Sequence, residues 1–98
     1  MYYNSDLIRR VWKKAIRVMN QDPNFVRKDE CGAWIVFNAY GNRDSEYGWE
    51  IDHIISVANG GTDDESNLQP LHWANNVAKG DGKLVRKVTA DDLIISAK

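Results

Sequence analysis

Residues Trp49 to Asp81, WEIDHIISVANGGTDDESNLQPLHWANNVAKGD, constrain this chain more than any other stretch. They hold an Asp52-His53 pair, a glycine turn, a lone Asn67 and an Asn76-x-x-Lys79 segment, in that order. Trp49 to Ile55 reads as an extended segment ending near His53. Asn59-Gly60-Gly61-Thr62 reads as a turn, since glycine accepts positive φ without steric cost. After Asn67-Leu68-Gln69-Pro70 a short helix is predicted from about Leu71 to Lys79, with Gly80 as its C-terminal stop.

Upstream, Leu7, Ile8, Val11, Trp12, Ala15, Ile16 and Met19 recur at helical spacing, with Ser5 as the predicted N-cap. The opposite face carries Arg9, Arg10, Lys13, Lys14 and Arg17. Asp22-Pro23-Asn24 breaks that pattern. Trp34-Ile35-Val36-Phe37 predicts a strand, and Tyr40-Gly41-Asn42 a turn. In the tail, Lys83 to Val88 predicts a strand, and Thr89 with Asp92 a capped start to a last short helix. The predicted order is helix, strand pair, loop, helix, tail, without repeats, low-complexity tracts or linkers.

Ninety-eight residues make one domain, near the lower end of what buries a self-sufficient core. Four Trp, four Tyr and two Phe within a 43% apolar chain point to a compact fold. No run of about 18 apolar residues exists, which excludes a membrane span, and the N-terminus lacks the apolar core of a secretion signal. A single cysteine, Cys31, cannot form an internal disulfide, so a cytoplasmic, reducing setting is the simplest reading and the thiol reads as inert.

The net charge of −1 divides unevenly: +4 over residues 1–43, −7 over 44–66 and +2 over 67–98. A nucleic-acid binder usually has a basic balance, and the total argues against one. The segregation argues back, because the acids gather around Asp52 and the bases flank them. A divalent cation would offset part of that local charge.

Phosphodiester hydrolysis requires an activated water, a stabilised phosphate and a neutralised leaving oxygen. An imidazole, with an unperturbed pKa of about 6.5, suits the first task. A hard cation such as Mg²⁺ suits the others; it takes oxygen ligands and keeps several waters. Asp52 offers a carboxylate oxygen and Asn76 a carbonyl oxygen for such a sparse site.

The pattern resembles that of the HNH endonucleases, also called ββα-metal or His-Me finger nucleases. The matching residues are Asp52-His53, Asn67 fourteen residues after His53, and Asn76 nine further. Gly60-Gly61, Asn67-Leu68, Leu71 and Asn76-x-x-Lys79-Gly80 fit as well, covering about a third of the chain. The Trp49-Glu50-Ile51 lead-in is similar to that of small stand-alone bacterial and phage members. The resemblance implies His53 as general base and Asp52 with Asn76 as metal ligands. It also implies that Asn67 pins the loop between the strands and orients His53 through a backbone hydrogen bond. Cleavage to a 3′-hydroxyl and a 5′-phosphate is implied on the same ground. Many relatives bind a structural zinc through two Cys-x-x-Cys pairs. This chain has His72-x-x-Asn75 downstream and only Cys31-Gly32 upstream, so no structural zinc is expected, and Trp34, Trp49 and Trp73 are expected to supply packing instead.

Each residue also has a plainer reading. His53 alone would be a surface or structural histidine, Asp52 a solvated acid and Asn67 a turn cap. Asn75 competes with Asn76, and the spacing from Asn67 favours Asn76. His72 lies one turn before Asn76 and is an additional ligand candidate, although a structural or phosphate-contacting role fits its spacing better. Lys79 either contacts phosphate or satisfies terminal carbonyls. Glu50 shares a strand face with Asp52; it either assists the metal or, the favoured reading, holds a nearby basic side chain. Arg9, Arg10, Lys13, Lys14, Arg17 and Arg43 are candidates for nucleic-acid contact, and Lys83, Arg86 and Lys87 weaker ones.

These readings converge on an α+β fold: a ββα-metal (HNH) core with an N-terminal amphipathic helix and a short C-terminal extension. One nuclease domain spans residues 1–98, with its motif core at about 47–81. The expected activity is metal-dependent hydrolysis of DNA, RNA not excluded, with low sequence specificity or nicking. The alternatives are a nucleic-acid-binding or interaction module that keeps the fold without turnover, and the effector part of a larger assembly.

Overall fold

In a computed structural model the described residues are 3–84 and Ala90. All but Lys83 and Leu84 of the predicted tail strand, including Arg86 and Lys87, and all but Ala90 of the predicted last helix lie outside them. The elements are α1 (Ser5–Trp12), β1 (Val26–Lys28), β2 (Trp34–Val36), β3 (Trp49–His53), β4 (Leu68–His72) and α2 (Trp73–Lys79). The fold is α+β, and among the described residues no helix is long and apolar enough to cross a membrane.

Two small antiparallel sheets carry the site. β1 pairs with β2, Val26 opposite Val36, and β3 pairs with β4, Trp49 opposite His72 and His53 opposite Leu68. The strands expected to pair with each other, around Trp34 and Trp49, therefore belong to different sheets. β1 escapes a hydrophobic reading because it is the short and charged Val-Arg-Lys. The predicted start of the last motif helix at Leu71 is also corrected: Leu71 and His72 complete β4, and α2 begins at Trp73.

α1 is shorter than its periodicity implies, and its cap is Asn4, whose Oδ1 accepts from the Leu7 amide at 2.8 Å. Ser5, the predicted cap, is the first helical residue. The helix stops at Trp12 because the next carbonyls are taken by tertiary partners. The buried Arg27 guanidinium donates to the carbonyls of Lys13 at 3.2 Å and Ala15 at 3.0 Å. Ile16 then exchanges backbone bonds with Lys28 at 2.8 and 2.9 Å, which draws the chain onto the edge of β1. Burial, with the nearby Arg17 charge, pulls the Arg27 pKa below its ordinary value.

The core forms where α1 crosses the β3–β4 sheet: Val11, Trp12, Ala15, Ile35, Trp49, Ile51 and Leu68. Trp12 and Trp49 lie with ring centroids 5.2 Å apart. Their indole N–H groups donate to the carbonyls of Pro23 at 2.9 Å and Phe37 at 3.1 Å. At about 200 Å² each and about 25 cal/mol per Å², the two rings are large terms in a domain this small. Of the three tryptophans expected to pack, only Trp49 is in this core; Trp34 and Trp73 are half-buried.

The two sheets are joined by one fully buried carboxylate. Asp29 Oδ1 accepts from the Cys31 and Ala33 amides, both at 2.9 Å. Its Oδ2 accepts from the His72 amide at 2.9 Å and from Asn75 Nδ2 at 3.0 Å. The segments around Cys31-Gly32 and His72-x-x-Asn75, which the resemblance links to zinc in relatives, are thus tied through Asp29. Asp29→Ala would strand several buried donors at about 1–3 kcal/mol each, so urea unfolding is expected to show a loss of at least about 3 kcal/mol. A loss under about 1 kcal/mol would show that the tie is incidental.

Candidate active site

Alternation along β3 sorts its side chains by face. Trp49 and Ile51 enter the core, while Glu50 and Asp52 turn toward α2. On α2, Asn76 and Lys79 stand three residues apart on one face and meet that pair in order. Asn76 Nδ2 donates to Glu50 Oε1 at 2.8 Å, and Lys79 Nζ lies 3.4 Å from each Asp52 oxygen. Asp52 Oδ2 also accepts from Gln69 Nε2 at 2.9 Å. Asp52, His53, Asn76 and Asp81 line one cleft of about 260 Å³, with Ser56 and Val57 also in its lining.

His53 ends β3 with its side chain 19% exposed, and its Nε2 lies 2.7 Å from Asp63 Oδ1. An ionised carboxylate only accepts, so Nε2 carries the hydrogen, and in a neutral imidazole the lone pair is then on Nδ1. Asp63 was not singled out in the sequence; the available signal was an acid between the glycine turn and Asn67. Asp81 was likewise missed, just beyond the helix-stop glycine.

Asn67 fastens the loop that follows His53. Its Oδ1 accepts from the Ile55 amide at 2.9 Å, and its Nδ2 donates to the carbonyls of Ile55 at 2.9 Å and Thr62 at 2.8 Å. Its own carbonyl accepts from the Ile54 amide at 2.7 Å. Asn67 thus pins the loop by backbone bonds beginning one residue past His53, while the imidazole itself meets Asp63. The turn glycines serve in two ways. Gly60 has φ 91°, while a Cβ on Gly61 would lie 1.7 Å from the Ile55 carbonyl oxygen.

Several additional candidates have different duties from those expected. His72 is buried with both ring nitrogens committed: Nδ1 accepts from the Ala74 amide at 3.0 Å, and Nε2 then donates to the Glu46 carbonyl at 2.6 Å. No lone pair is left for a metal. Lys79 points inward, 5% exposed, with Nζ donating to the His53 carbonyl at 2.9 Å. It neither reaches the surface for phosphate nor serves terminal carbonyls. Asn75 is fully buried on Asp29, which leaves Asn76 as the asparagine of the cleft.

The basic side chains are largely engaged within the fold. Arg43 makes a two-pronged pair with Glu50, at 2.6 and 2.9 Å, matching the favoured reading of Glu50. Burial pushes the Glu50 carboxyl up, but hydrogen bonds from Arg43 and Asn76 and the Arg43 charge outweigh it and hold the carboxyl below its usual range. Arg9 lies over the Phe37 ring at 4.3 Å, Arg10 pairs with Glu65 at 2.9 Å, and Lys14 donates to the carbonyls of Glu65 and Leu68. Lys13 and Arg17 are exposed. A second hollow of about 350 Å³ adjoins His53, walled by Tyr3, Tyr40, Gly41 and Glu50. Burial, with the Asp63 and Asp52 charges, raises the Tyr3 pKa, so its phenol stays a donor there.

Among the described residues, no three His, Cys, Asp or Glu side chains converge as a metal cluster. The donor chemistry of the cleft still fits a hard cation: one carboxylate and one carboxamide oxygen, with room for retained waters. A family model described as HNH endonuclease matches residues 30–82. No curated protein and no solved structure matches the chain.

Asn67→Ala removes the side-chain bonds to Ile55 and Thr62, each worth about 1 kcal/mol. Amide exchange at Ile55, followed by NMR, is expected to accelerate by about tenfold or more. Unchanged protection at Ile55 would refute the fastening role.

Proposed function

Because this chain belongs to the HNH endonuclease family, we propose that it is a metal-dependent endonuclease hydrolysing DNA phosphodiester bonds. The observation that carries this reading is the convergence of Asp52, His53 and Asn76 on one cleft, from the end of β3 and the inner face of α2. Asp52 and Asn76 would hold a divalent cation, Mg²⁺ by its preference for oxygen ligands. The chemistry such a cation supplies is Lewis-acid stabilisation of charge on the phosphate and the departing oxygen.

His53 Nδ1 takes a proton from water. The water oxygen attacks phosphorus in line, the P–O3′ bond breaks, and the 3′ oxygen leaves and takes a proton from solvent water, to which His53 later returns its own. Asp63 holds the imidazole by its Nε2 hydrogen, so the base presents one nitrogen in a fixed direction. Asn67 and Gly61 fix the loop behind it. Lys79 offsets the buried Asp52 charge while fastening the His53 carbonyl, which keeps the ligand and the base in one frame. The exposed Lys13 and Arg17 would be available to contact the nucleic-acid backbone.

One observation favours a second reading, a binding module without turnover: Asp52 already has an ammonium beside it, from Lys79. The separation of 3.4 Å leaves the carboxylate with acceptor capacity, and we therefore rank catalysis first.

Supercoiled and linear duplexes, single-stranded DNA and RNA separate the possibilities. Cleavage of DNA is expected with Mg²⁺ or Mn²⁺ and none with chelator. His53→Ala is expected to lower the rate by about 100-fold or more, the range for losing a general base. A His53→Ala protein that cuts at the wild-type rate would refute the mechanism. Binding of nucleic acid without cleavage of any substrate would establish the second reading.

A further inference from the structure

The Arg43–Glu50–Asn76 chain of contacts has no role in the mechanism above. Its geometry is directional. The Asn76 carboxamide has a donor end and an acceptor end of nearly equal size, and only the oxygen can ligate a cation. An ionised carboxylate can accept from the nitrogen but cannot donate to the oxygen. Asn76 Nδ2 donates to Glu50 Oε1 at 2.8 Å, which commits the nitrogen and leaves Oδ1 to the other side of the amide. Glu50 is in turn braced: Arg43 Nε meets Oε2 at 2.6 Å and an Arg43 terminal nitrogen meets Oε1 at 2.9 Å. A planar fork on a carboxylate fixes its rotation as well as its place.

We propose that Glu50, braced by Arg43, is a positioning residue that sets the Asn76 carboxamide with its oxygen toward the cation site. The inference rests on the reading of Asn76 as a ligand. It explains why a side chain as exposed as Arg43, at 56%, forms a two-pronged pair: the pair stiffens a strand residue that stiffens a helix residue. Partners of this kind around a ligand typically change metal affinity by about 10–100-fold.

A role through charge alone, or as a direct ligand, makes the opposite prediction for Arg43. Removing its positive charge would then tighten cation binding; under the positioning role it loosens Glu50 and weakens binding. The test is Mn²⁺ affinity of the full chain without nucleic acid, by the loss of the free-ion paramagnetic resonance signal and by calorimetry. Glu50→Ala is expected to weaken Mn²⁺ binding by about tenfold or more, and Arg43→Ala by a smaller factor in the same direction. Glu50→Gln, which keeps an oxygen for Asn76 Nδ2 but loses the charge, is expected to recover part of the affinity lost in Glu50→Ala. Tighter or unchanged binding in Arg43→Ala overturns the proposal, as does Glu50→Gln binding as weakly as Glu50→Ala. Asn76→Ala separates the two layers: wild-type affinity there refutes Asn76 as a ligand and this inference with it. Weak binding in Asn76→Ala with unchanged binding in Arg43→Ala refutes the positioning role alone.

Discussion

The Asp29 carboxylate is the interaction on which the rest of the arrangement depends. A seven-residue helix has little stability of its own, and α2 must be told by its surroundings where to begin. Asp29 does this by accepting from the His72 amide, at the strand-to-helix junction, and from Asn75 in the first turn. The same carboxylate closes the turn between β1 and β2 through Cys31 and Ala33. Fixing His72 and Asn75 sets the rotation of α2, and that rotation sends Asn76 to the cleft and Asn75 to the interior. A buried acid surrounded by amide donors thereby acts on the site from the far side of the helix.

Once α2 is placed, two polar cross-links dock it on β3. Residues two apart on a strand and three apart on a helix both return to one face, so Glu50 and Asp52 can meet Asn76 and Lys79 in order. One cross-link is built around an amide and the other around an ammonium. The amide can turn its oxygen to solvent; the ammonium cannot accept a cation and instead compensates buried charge. Lys79 is 5% exposed, and a buried lysine without a carboxylate partner would be strongly destabilising. The Asp52–Lys79 pair is therefore part of what holds β3 and α2 together.

Much of this was legible in the sequence because it is local. The Asp-His pair at a strand end, the glycine turn, Asn67 and the helix stop all fall within one continuous stretch. Glycine at 60 was readable from turn chemistry, whereas Gly61 is required by a close approach to the Ile55 carbonyl, which only the folded loop creates. What was not legible is tertiary in origin. The end of α1 is decided by Arg27, fourteen residues after Lys13, and nothing in the Ile16–Met19 periodicity reports it. The exchange of partners between the two sheets turns on β1, a strand too short and charged to show a pattern. His72 and Lys79 have ordinary spacing for ligand and phosphate roles, and their burial alone reassigns them.

The basic side chains bear on how a polyanion could approach. Residues 1–43 carry a formal +4, yet Arg9, Arg10, Lys14, Arg27 and Arg43 are engaged within the fold. His53 has Asp52 and Asp81 with it in one cleft, Glu50 across the neighbouring hollow and Asp63 on its ring, with Lys79 buried and Arg43 already paired. A phosphate entering beside His53 meets these carboxylates, and like charges a few ångströms apart repel by several kT outside bulk water. A divalent cation between Asp52 and Asn76 would change the sign of the field where the phosphate must sit. The local acidity that counts against nucleic-acid binding in a bare charge balance is, on this reading, the condition for binding the ion that makes it possible. A metal held there would gate access to the cleft as well as supply chemistry within it.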